Sequence, residues 1–360
     1  MHKRPHIAVV FNEPLSEYKE EKKPQLRGSS EILNIDNIEE NVISHVDLSE
    51  IGVIEEREQV EKALKSKGYQ TSLFNIDGDI RKLICFIEDE KPDLIFNLCE
   101  SLKRETLNEM HVAGIYELMN VSYTGSATLA LGICLHKYLA KQILRSHGIP
   151  TPKHALFKNA EEVSLDDLNM DFPLIVKPSH EDASVGIDNF SVVNTIDELK
   201  KRVELIVQCF DQPALVEEYI EGRELNVAIM GNGKPEVLPI SEIDFSRLPP
   251  DYPKIVTYKA KWVEGSIEYQ GTVGICPSPL NDAVAERVKN LALKAYGILG
   301  LRDYGRIDIR LDKSCNPYVI EVNPNPDISR DSGFARSAHA AGMSYEDMIN
   351  RIVEIALKRT

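Results

Sequence analysis

The segment 318–329 reads YVIEVNPNPDIS, an apolar strand that runs directly into polar and acidic side chains. Glu321 and Asn323 are two residues apart, so a strand places both on one face. Two oxygen ligands at a strand end can hold a hard cation. The pattern fits an edge strand ending in a polar turn equally well, because Pro324 and Pro326 cannot continue a regular ladder.

A neighbouring strand supplies further candidates. YGRIDIRLD (304–312) precedes this segment, and the turn KSCNP between them predicts a hairpin with Asp308 opposite Glu321. Two carboxylates and the Asn323 carboxamide would then converge, which suits Mg²⁺ completed by phosphate oxygens and water. Arg306 shares the face of Asp308 and could stabilise a phosphate or an oxyanion. A structural ion-pair cluster on the hairpin is the alternative.

A second group of candidates lies in the middle of the chain. Lys177 ends the apolar strand FPLIVK, and Lys137 lies in a predicted helix, although either lysine alone would fit a surface cation with a buried stem. The following loop HEDASVGI has one glycine, so it is a poor phosphate loop by sequence. Its Ser184 and Gly186 could still offer a hydroxyl and backbone N–H groups to phosphates.

The segment LVEEYIEGRE (215–224) reads as a strand, a turn at Gly222 and then Glu224. Glu217 and Ile220 could read the amino group and ribose of an adenine nucleotide. An ordinary amphipathic edge strand explains the same residues.

Composition limits the classes of protein that fit. The chain has 360 residues, enough for two or three domains, with 42% hydrophobic and 28% charged residues, as in soluble globular proteins. Its formal net charge of −15 disfavours nucleic acid and anionic membranes as partners. No apolar run reaches the roughly 18 residues that cross a bilayer. Six scattered cysteines without a CxxC pair indicate reduced thiols and a cytoplasmic location.

The first third predicts an α/β domain. Strands are expected at 6–11, 69–76 and 93–99, alternating with helices at 54–68, 79–92, 106–120 and 128–148, which indicates an open parallel sheet covered by helices. Residues 12–52 are polar, acidic and nearly free of aromatics, so a long loop or partly ordered insertion is expected there.

The remainder predicts two smaller α+β units after the extended connector IPTP (149–152). Strands are expected at 172–179, 190–194, 214–220, 224–231, 235–245, 304–312 and 316–323, with helices at 196–210 and 282–300, a polar loop over 246–274 and a C-terminal helix.

The order of these pieces resembles the ATP-grasp ligases, and within them the D-alanine–D-alanine ligase family. The matching segments run in order over about residues 90 to 355: YTGS (123–126), HKYLAK (136–141), GIPTP (148–152), PLIVKPSHEDASVGI (173–187), LVEEYIEGREL (215–225), YKAKW (258–262), YGRIDIRLD (304–312), EVNPNPD (321–327) and SAHAAGMSYEDMI (337–349).

The resemblance implies an α/β three-domain ATP-grasp fold, with ATP between the central and C-terminal domains. We place the domains at 1–136, with the acidic insertion 12–52, at 137–224 and at 225–360. The resemblance also implies a role for each matching residue. Lys137, Lys177 and Ser184 would contact the ATP phosphates, Glu217 and Ile220 would lie at the adenine, Glu224 would bind the ribose, and Lys261 would touch the γ-phosphate from a mobile loop. Asp308, Glu321 and Asn323 would hold two Mg²⁺ (with Mn²⁺ as an alternative), Arg306 would steady an acyl phosphate, and Ser332 would meet the second substrate.

The chain departs from this family in the substrate half. After the first strand it has FNEPLSEYKEEKKP in place of a Gly-rich turn whose Glu grips the ammonium of the first D-alanine. Glu13 or Glu17 could replace that carboxylate. Ala183 and Trp262 stand where the family has a substrate-orienting Ser and Tyr, and Asp327 replaces a Gly. The glycines that follow the family's next strand are also missing.

These features predict an ATP-dependent ligase that joins a small carboxylate to an amine through an acyl phosphate. A D-alanine–D-alanine ligase proper is the alternative, and an ATP-binding regulatory protein or small-molecule kinase on the same scaffold is a further one. No nucleic-acid or membrane partner is expected, and a homodimer is left open.

Overall fold

The computed structural model describes residues 4–13, 46–103, 105–164 and 168–359. Within these ranges the strands form three sheets. The strands are β1 His6–Phe11, β2 Gln70–Asn75, β3 Leu94–Leu98, β4 His154–Phe157, β5 Leu174–Pro178, β6 Val192–Val193, β7 Ala214–Glu218, β8 Gly222–Met230, β9 Glu236–Val237, β10 Ser241–Asp244, β11 Val273–Ile275, β12 Tyr304–Asp312 and β13 Pro317–Asn323. The α-helices are α1 Val46–Ser66, α2 Ile80–Glu90, α3 Asn108–Leu118, α4 Thr128–Leu135, α5 Lys137–Ser146, α6 Ile196–Phe210, α7 Tyr258–Trp262, α8 Ile267–Gly271, α9 Asp282–Ile298, α10 Gly333–Ala340 and α11 Tyr345–Lys358.

The N-terminal sheet is parallel, in the order β2-β1-β3, as the alternation of strands and helices predicted. Every residue of β1 is buried. Ile7, Val9 and Phe11 point to one face, where they pack with α1 and the C-terminal α11. Ala8 and Val10 point to the other face, towards α2 and α3. The period of two along β1 therefore buries both faces of the sheet, and α11 ties the C-terminus to the N-terminal sheet.

The central sheet is antiparallel, in the order β4-β7-β5-β6, and α6 covers one of its faces. Thr195 caps α6 by accepting a hydrogen bond from the Glu198 backbone N–H, at 3.3 Å. Lys177 lies near the end of β5, and the loop that follows this strand leads to β6. One end of this sheet therefore carries Lys177 and the loop that contains Ser184, whereas Lys137 lies on α5.

The C-terminal sheet follows the order β11-β10-β8-β12-β13, with β9 paired to β8. Helix α9 covers one face, and its apolar side packs against β8, β12 and β13. Strands β12 and β13 form the predicted hairpin, with Asp308 opposite Glu321. The hairpin prediction is confirmed.

The predicted helix over 128–148 is in fact two helices. Helix α4 ends at Leu135, and α5 begins at Lys137 after a single non-helical residue, His136, with ψ 77°. At this break the Lys137 backbone N–H donates to the Ser179 carbonyl at 3.3 Å, and the His136 ring packs edge-on against His180. The contact with this distant loop interrupts the helix, and the periodicity of the local sequence cannot reveal such an interruption.

Other boundaries also differ from the prediction. Helix α1 begins at residue 46, inside the predicted loop 12–52, and residues 14–45 of that loop lie outside the described part of the chain. The predicted strand 235–245 is two short strands, because Pro239 between them has no N–H to donate. Strand 190–194 is only two residues long, and β4 was missed because its edge position gives no clear alternation. The predicted loop 246–274 contains α7, α8 and part of β11.

The six cysteines are all free thiols. Among the helices that the structure describes, none is both long and apolar enough to cross a membrane. The domain boundaries after residues 136 and 224 stay predictions.

Candidate active site

A cavity of about 730 Å³ is lined by twelve of the residues that the sequence singled out for chemistry. Its lining includes residues from the central sheet, the C-terminal sheet and the segments between them. The candidate residues that line it are Lys137, Lys177, Ser184, Glu217, Ile220, Glu224, Lys261, Arg306, Asp308, Glu321, Asn323 and Ser332. Residues spread over almost 200 positions of sequence therefore share one space.

The Asp308 carboxylate lies at the centre of the hairpin and is buried. Both of its oxygens accept from the Arg306 guanidinium, at 2.8 and 2.9 Å. The side-chain amides of Asn226 on β8 and Asn323 on β13 donate to it at 2.8 and 3.0 Å. Three adjacent strands therefore fix one carboxylate, with a guanidinium beside it.

Glu321 is held by a lysine from a different part of the fold. Lys137, at the first position of α5, forms ion pairs with Glu321 and, at 2.7 Å, with Asp182. Burial alone would raise the pKa of Glu321, but Lys137 and the more distant Lys177 lower the pKa to about 2. Burial opposes charge on Lys137 as well, and Asp182 and Glu321 outweigh it and raise the Lys137 pKa. Glu321 is therefore ionised at neutral pH.

Glu217 lines the cavity and pairs with two further lysines, of which Lys177 also lines it. Its carboxylate oxygens lie 2.6 Å from Lys141 Nζ and 2.6 Å from Lys177 Nζ, and the side chain is only 2% exposed. Burial raises the pKa of Glu217, but the two lysines outweigh it and bring the pKa to about 2. Burial, with repulsion from Lys177, lowers the pKa of Lys141 to about 8. The predicted adenine residue Glu217 is thus also the anion that positions Lys177.

The donor set on the hairpin suits Mg²⁺. Asp308 and Glu321 supply two carboxylates on adjacent strands, and Asn323 supplies a carboxamide. Within the described residues, no group of three or more His, Cys, Asp or Glu side chains gathers as a metal cage. Mg²⁺ does not need one, because it is commonly held by one or two carboxylates plus phosphate oxygens and water.

The loop after β5 has an unusual backbone. Ala183 and Ser184 have left-handed φ angles of 54° and 62°, and Gly186 has 73°. Left-handed backbone is rare for residues with a side chain and clusters at functional sites. A Cβ on Gly186 would lie 2.6 Å from Pro178 Cγ, so the turn also requires glycine for space. The single glycine that made this loop look poor in the sequence is supplemented by two strained residues.

The segment containing YKAKW lies against this loop. The Tyr258 backbone N–H donates to the Ile187 carbonyl at 2.9 Å, and Trp262 Nε1 donates to the Ala183 carbonyl at 3.0 Å. Lys261 Nζ lies 4.6 Å from the centre of the Trp262 ring. The two positions where the sequence departs from the family pattern, 183 and 262, are therefore in direct contact.

The predicted ribose residue Glu224 is buried and pairs with Arg310 at 2.9 Å. Arg310 also donates to the Ile220 carbonyl at 2.9 Å. Ser332 is the N-cap of α10 and accepts from the Ala335 backbone N–H at 3.1 Å. Each of these predicted residues lines the cavity, and each has a structural partner in addition.

Comparisons with known proteins show the family to which this chain belongs. A model of the D-ala D-ala ligase C-terminus matches residues 143–354. A D-alanine–D-alanine ligase of Carboxydothermus hydrogenoformans is 31% identical over 287 residues, which cover 74% of this chain and 87% of that protein. This chain belongs to the D-alanine–D-alanine ligase family. It is an ATP-dependent ligase with the ATP-grasp fold and forms a carbon–nitrogen bond.

Two other relatives extend the likeness over nearly the whole chain. A protein of Sinorhizobium fredii described as uncharacterized is 35% identical over 309 residues, which cover 84% of this chain and 87% of that protein. The crystal structure of D-alanine–D-alanine ligase from Bacillus anthracis complexed with ATP has a TM-score of 0.72 and 25% identity, and the match covers 99% of this chain and 98% of that one. Such ligases depend on ATP and Mg²⁺ and act on small molecules.

Sequence reasoning missed several residues in or next to this ligase's cavity. Lys141 does not line the cavity but pairs with Glu217. It had a signal, since it lies one helical turn after Lys137 on the same face. Glu56 had none, because it reads as one of several acidic residues on an ordinary helix. The other missed residues that line the cavity are Glu100, Glu109, Asp182, Asn226, Arg310 and Arg336.

Glu56 and Glu100 form an acidic side of the cavity together with Asp327. Glu56 is buried and accepts from the Ile328 backbone N–H at 3.0 Å. Burial first, then the charges of Asp327 and Glu100, raise the pKa of Glu56. Enclosure by the cavity and the charge of Asp327 raise the pKa of Glu100 to about 7, although this side chain keeps an exposed surface. Glu13, expected as a substitute for the family's first-substrate carboxylate, instead pairs with Arg57, and Glu17 lies outside the described residues.

Replacing either hairpin carboxylate tests the metal assignment. Asp308→Asn or Glu321→Gln should lower ATP turnover on the order of 10²–10³-fold, because each removes a charge that a dication and the triphosphate require. Turnover is measured as ADP release at saturating ATP and Mg²⁺.

Glu236→Gln is the matched control. Glu236 lies in the same sheet, is exposed and pairs with Arg351. It should keep wild-type turnover. Circular dichroism melts establish that all three variants are folded, and near-normal turnover in both hairpin variants would place the metal elsewhere.

Proposed function

We propose that this ligase activates a small carboxylate with ATP and joins it to an amine through an acyl phosphate. The observation that carries the proposal is the convergence of the twelve candidate residues on one cavity. A carboxylate oxygen attacks the γ-phosphorus, the bond from that phosphorus to the bridging oxygen breaks, and ADP leaves. The amine nitrogen then attacks the acyl carbon, inorganic phosphate leaves, and the amine loses a proton to give an amide.

Neither step requires a protein nucleophile, so positioning and charge neutralisation dominate. Lys137, Lys177 and the loop at Ser184 bind the phosphates. Two Mg²⁺ ions, or Mn²⁺ in their place, held by Asp308, Glu321 and Asn323 would neutralise charge on the transferred phosphate. Lys137 pairs with Glu321 and Arg306 pairs with Asp308, so both cationic side chains lie next to the proposed metal site. A dication bound to Glu321 and Asp308 would release Lys137 to bind the phosphates and Arg306 to bind the acyl phosphate.

The nucleotide base and ribose occupy the strand end from Glu217 to Glu224. Because lysines occupy both oxygens of Glu217, we propose that the backbone near Ile220 gives the adenine contact. Lys261 reaches the γ-phosphate from the segment that covers the loop, and Ser332 meets the second substrate. We further propose three domains at 1–136, 137–224 and 225–360 and a cytoplasmic location, with no nucleic-acid partner and a homodimer left open.

The substrates differ from the D-alanine pair. Trp262 has a single donor, which it gives to the Ala183 backbone carbonyl, and the Ala183 side chain has none. Neither residue can therefore orient a carboxylate that grips the substrate ammonium, as the family's Ser and Tyr would. Asp327 instead offers negative charge to a cationic amine group. A D-alanine–D-alanine ligase proper is the second candidate, and the named relatives favour it.

The segment 246–274 should act as a lid over the phosphates. ATP-analogue and Mg²⁺ should protect it from limited proteolysis, because bound phosphates add contacts to Lys261 and lids of this type exclude water from reactive intermediates. Cleavage sites are identified by mass spectrometry.

Trp262→Phe provides a matched variant for the lid. It keeps an aromatic ring but cannot donate to the Ala183 carbonyl, so the segment should be cleaved faster than in the wild type without nucleotide. Equal cleavage with and without nucleotide in the wild type would contradict a lid.

D-alanine alone should be a poor substrate. An ammonium that lacks its oriented partner loses a charge-assisted contact of about 1.5–3 kcal/mol, roughly ten- to hundredfold in kcat/KM. Phosphate release and product mass are compared for D-alanine and for a panel of amino acids, dipeptides and other carboxylate–amine pairs.

Phosphate release that requires an amine distinguishes a ligase from a kinase. Formation of D-alanyl-D-alanine faster than about 1 per second would favour the second candidate.

A further inference from the structure

Arg336 lies beside the proposed position of the second substrate. It is one helical turn after Ser332 on α10, and its backbone N–H donates to the Ser332 carbonyl at 3.0 Å. Both side chains line the cavity. Residues four apart on a helix share a face, so Arg336 and Ser332 face the same part of that space.

The guanidinium of Arg336 has a fixed place. Its Nη1 donates to Ser241 Oγ at 2.9 Å, and Nη2 makes a longer contact of 3.4 Å to the Asp331 carbonyl. It rests on the backbone of Gly274, where an added Cβ would lie 2.0 Å from Cζ. Gly274 is not in the left-handed region, so glycine is needed there for space. The glycine at position 274 of β11 therefore leaves the space that the Arg336 guanidinium occupies.

Arg336 differs from the other arginines in the cavity in its charge balance. Arg306 pairs with Asp308, and Arg310 pairs with Glu224. Within the described part of the chain, no carboxylate forms an ion pair with Arg336. Partial burial lowers its pKa, and the charge of Asp331 only partly offsets this. A half-buried guanidinium without an ion-pair partner is costly unless a ligand supplies one.

We infer that Arg336 binds an anionic side group of the amine substrate, such as the side-chain carboxylate of an acidic amino acid. The inference rests on the proposed function, which puts the amine substrate at Ser332. Arg336 lies about one helical pitch, ~5.4 Å, from Ser332 along the same face, so it can reach a side group of a substrate that is bound at Ser332. A guanidinium suits this role because it binds carboxylates through two parallel hydrogen bonds.

The test compares ligands that differ only in this charge. Isothermal titration in the presence of a non-hydrolysable ATP analogue and Mg²⁺ gives Kd for D-glutamate against D-glutamine and for D-aspartate against D-asparagine. Wild type should bind at least one acid about tenfold or more tightly than its amide.

Two variants should abolish this preference for different reasons. Arg336→Met removes the charge. Gly274→Ala keeps the arginine but places a methyl group where the guanidinium lies. Arg330→Met is the matched control, because Arg330 is exposed and pairs with Glu346 outside the cavity, and it should leave the preference unchanged. Arg336→Lys should retain part of it.

Three outcomes would overturn the inference: no preference for either acid in the wild type, no binding of any of the four ligands, or an unchanged preference in both Arg336→Met and Gly274→Ala. If Arg336→Met instead weakens the ATP analogue itself, the guanidinium binds phosphate. Failure of the proposed function would be seen separately, as an absence of amine-dependent phosphate release from the wild type.

Discussion

The antiparallel pairing of β12 and β13 is the constraint on which the site depends. Its register sets Asp308 opposite Glu321, and the pairing of β12 with β8 on its other side adds Asn226. Two carboxylates so close together in a partly buried cavity repel one another, and burial opposes their charge. The fold offsets this repulsion by bringing a cation to each carboxylate. Arg306 on the same strand and Lys137 from α5 supply this charge.

The same pairing of buried carboxylates with cations is found at Glu217. Glu217 on the central sheet is ionised because Lys141 and Lys177 pair with it, and the two lysines are in turn held in place by Glu217. Lys141 also donates to the Ile320 carbonyl on β13, the strand proposed to hold the metal, at 2.7 Å. The central and C-terminal sheets are thus linked by buried charges, which are the same groups that a triphosphate and its cations would engage.

The hairpin and its carboxylates could be predicted because both depend on local rules: alternation, a turn and the spacing of residues on one face. The break at His136 could not, since it depends on a hydrogen bond from Lys137 to the distant Ser179. Arg336 also gave no local signal. Its position is set by Ser241 and by the space above Gly274, which belong to other strands. Long-range contacts of this type leave no periodic pattern in a sequence.

Cation binding to the hairpin tests the account most directly. Mn²⁺ bound in the presence of a non-hydrolysable ATP analogue is counted from the loss of the free-ion signal in electron paramagnetic resonance. Wild type and Glu236→Gln should bind two ions per chain, whereas Asp308→Asn and Glu321→Gln should bind fewer or bind them far more weakly. Unchanged stoichiometry and affinity in both hairpin variants would contradict the assignment of the metal site to β12 and β13.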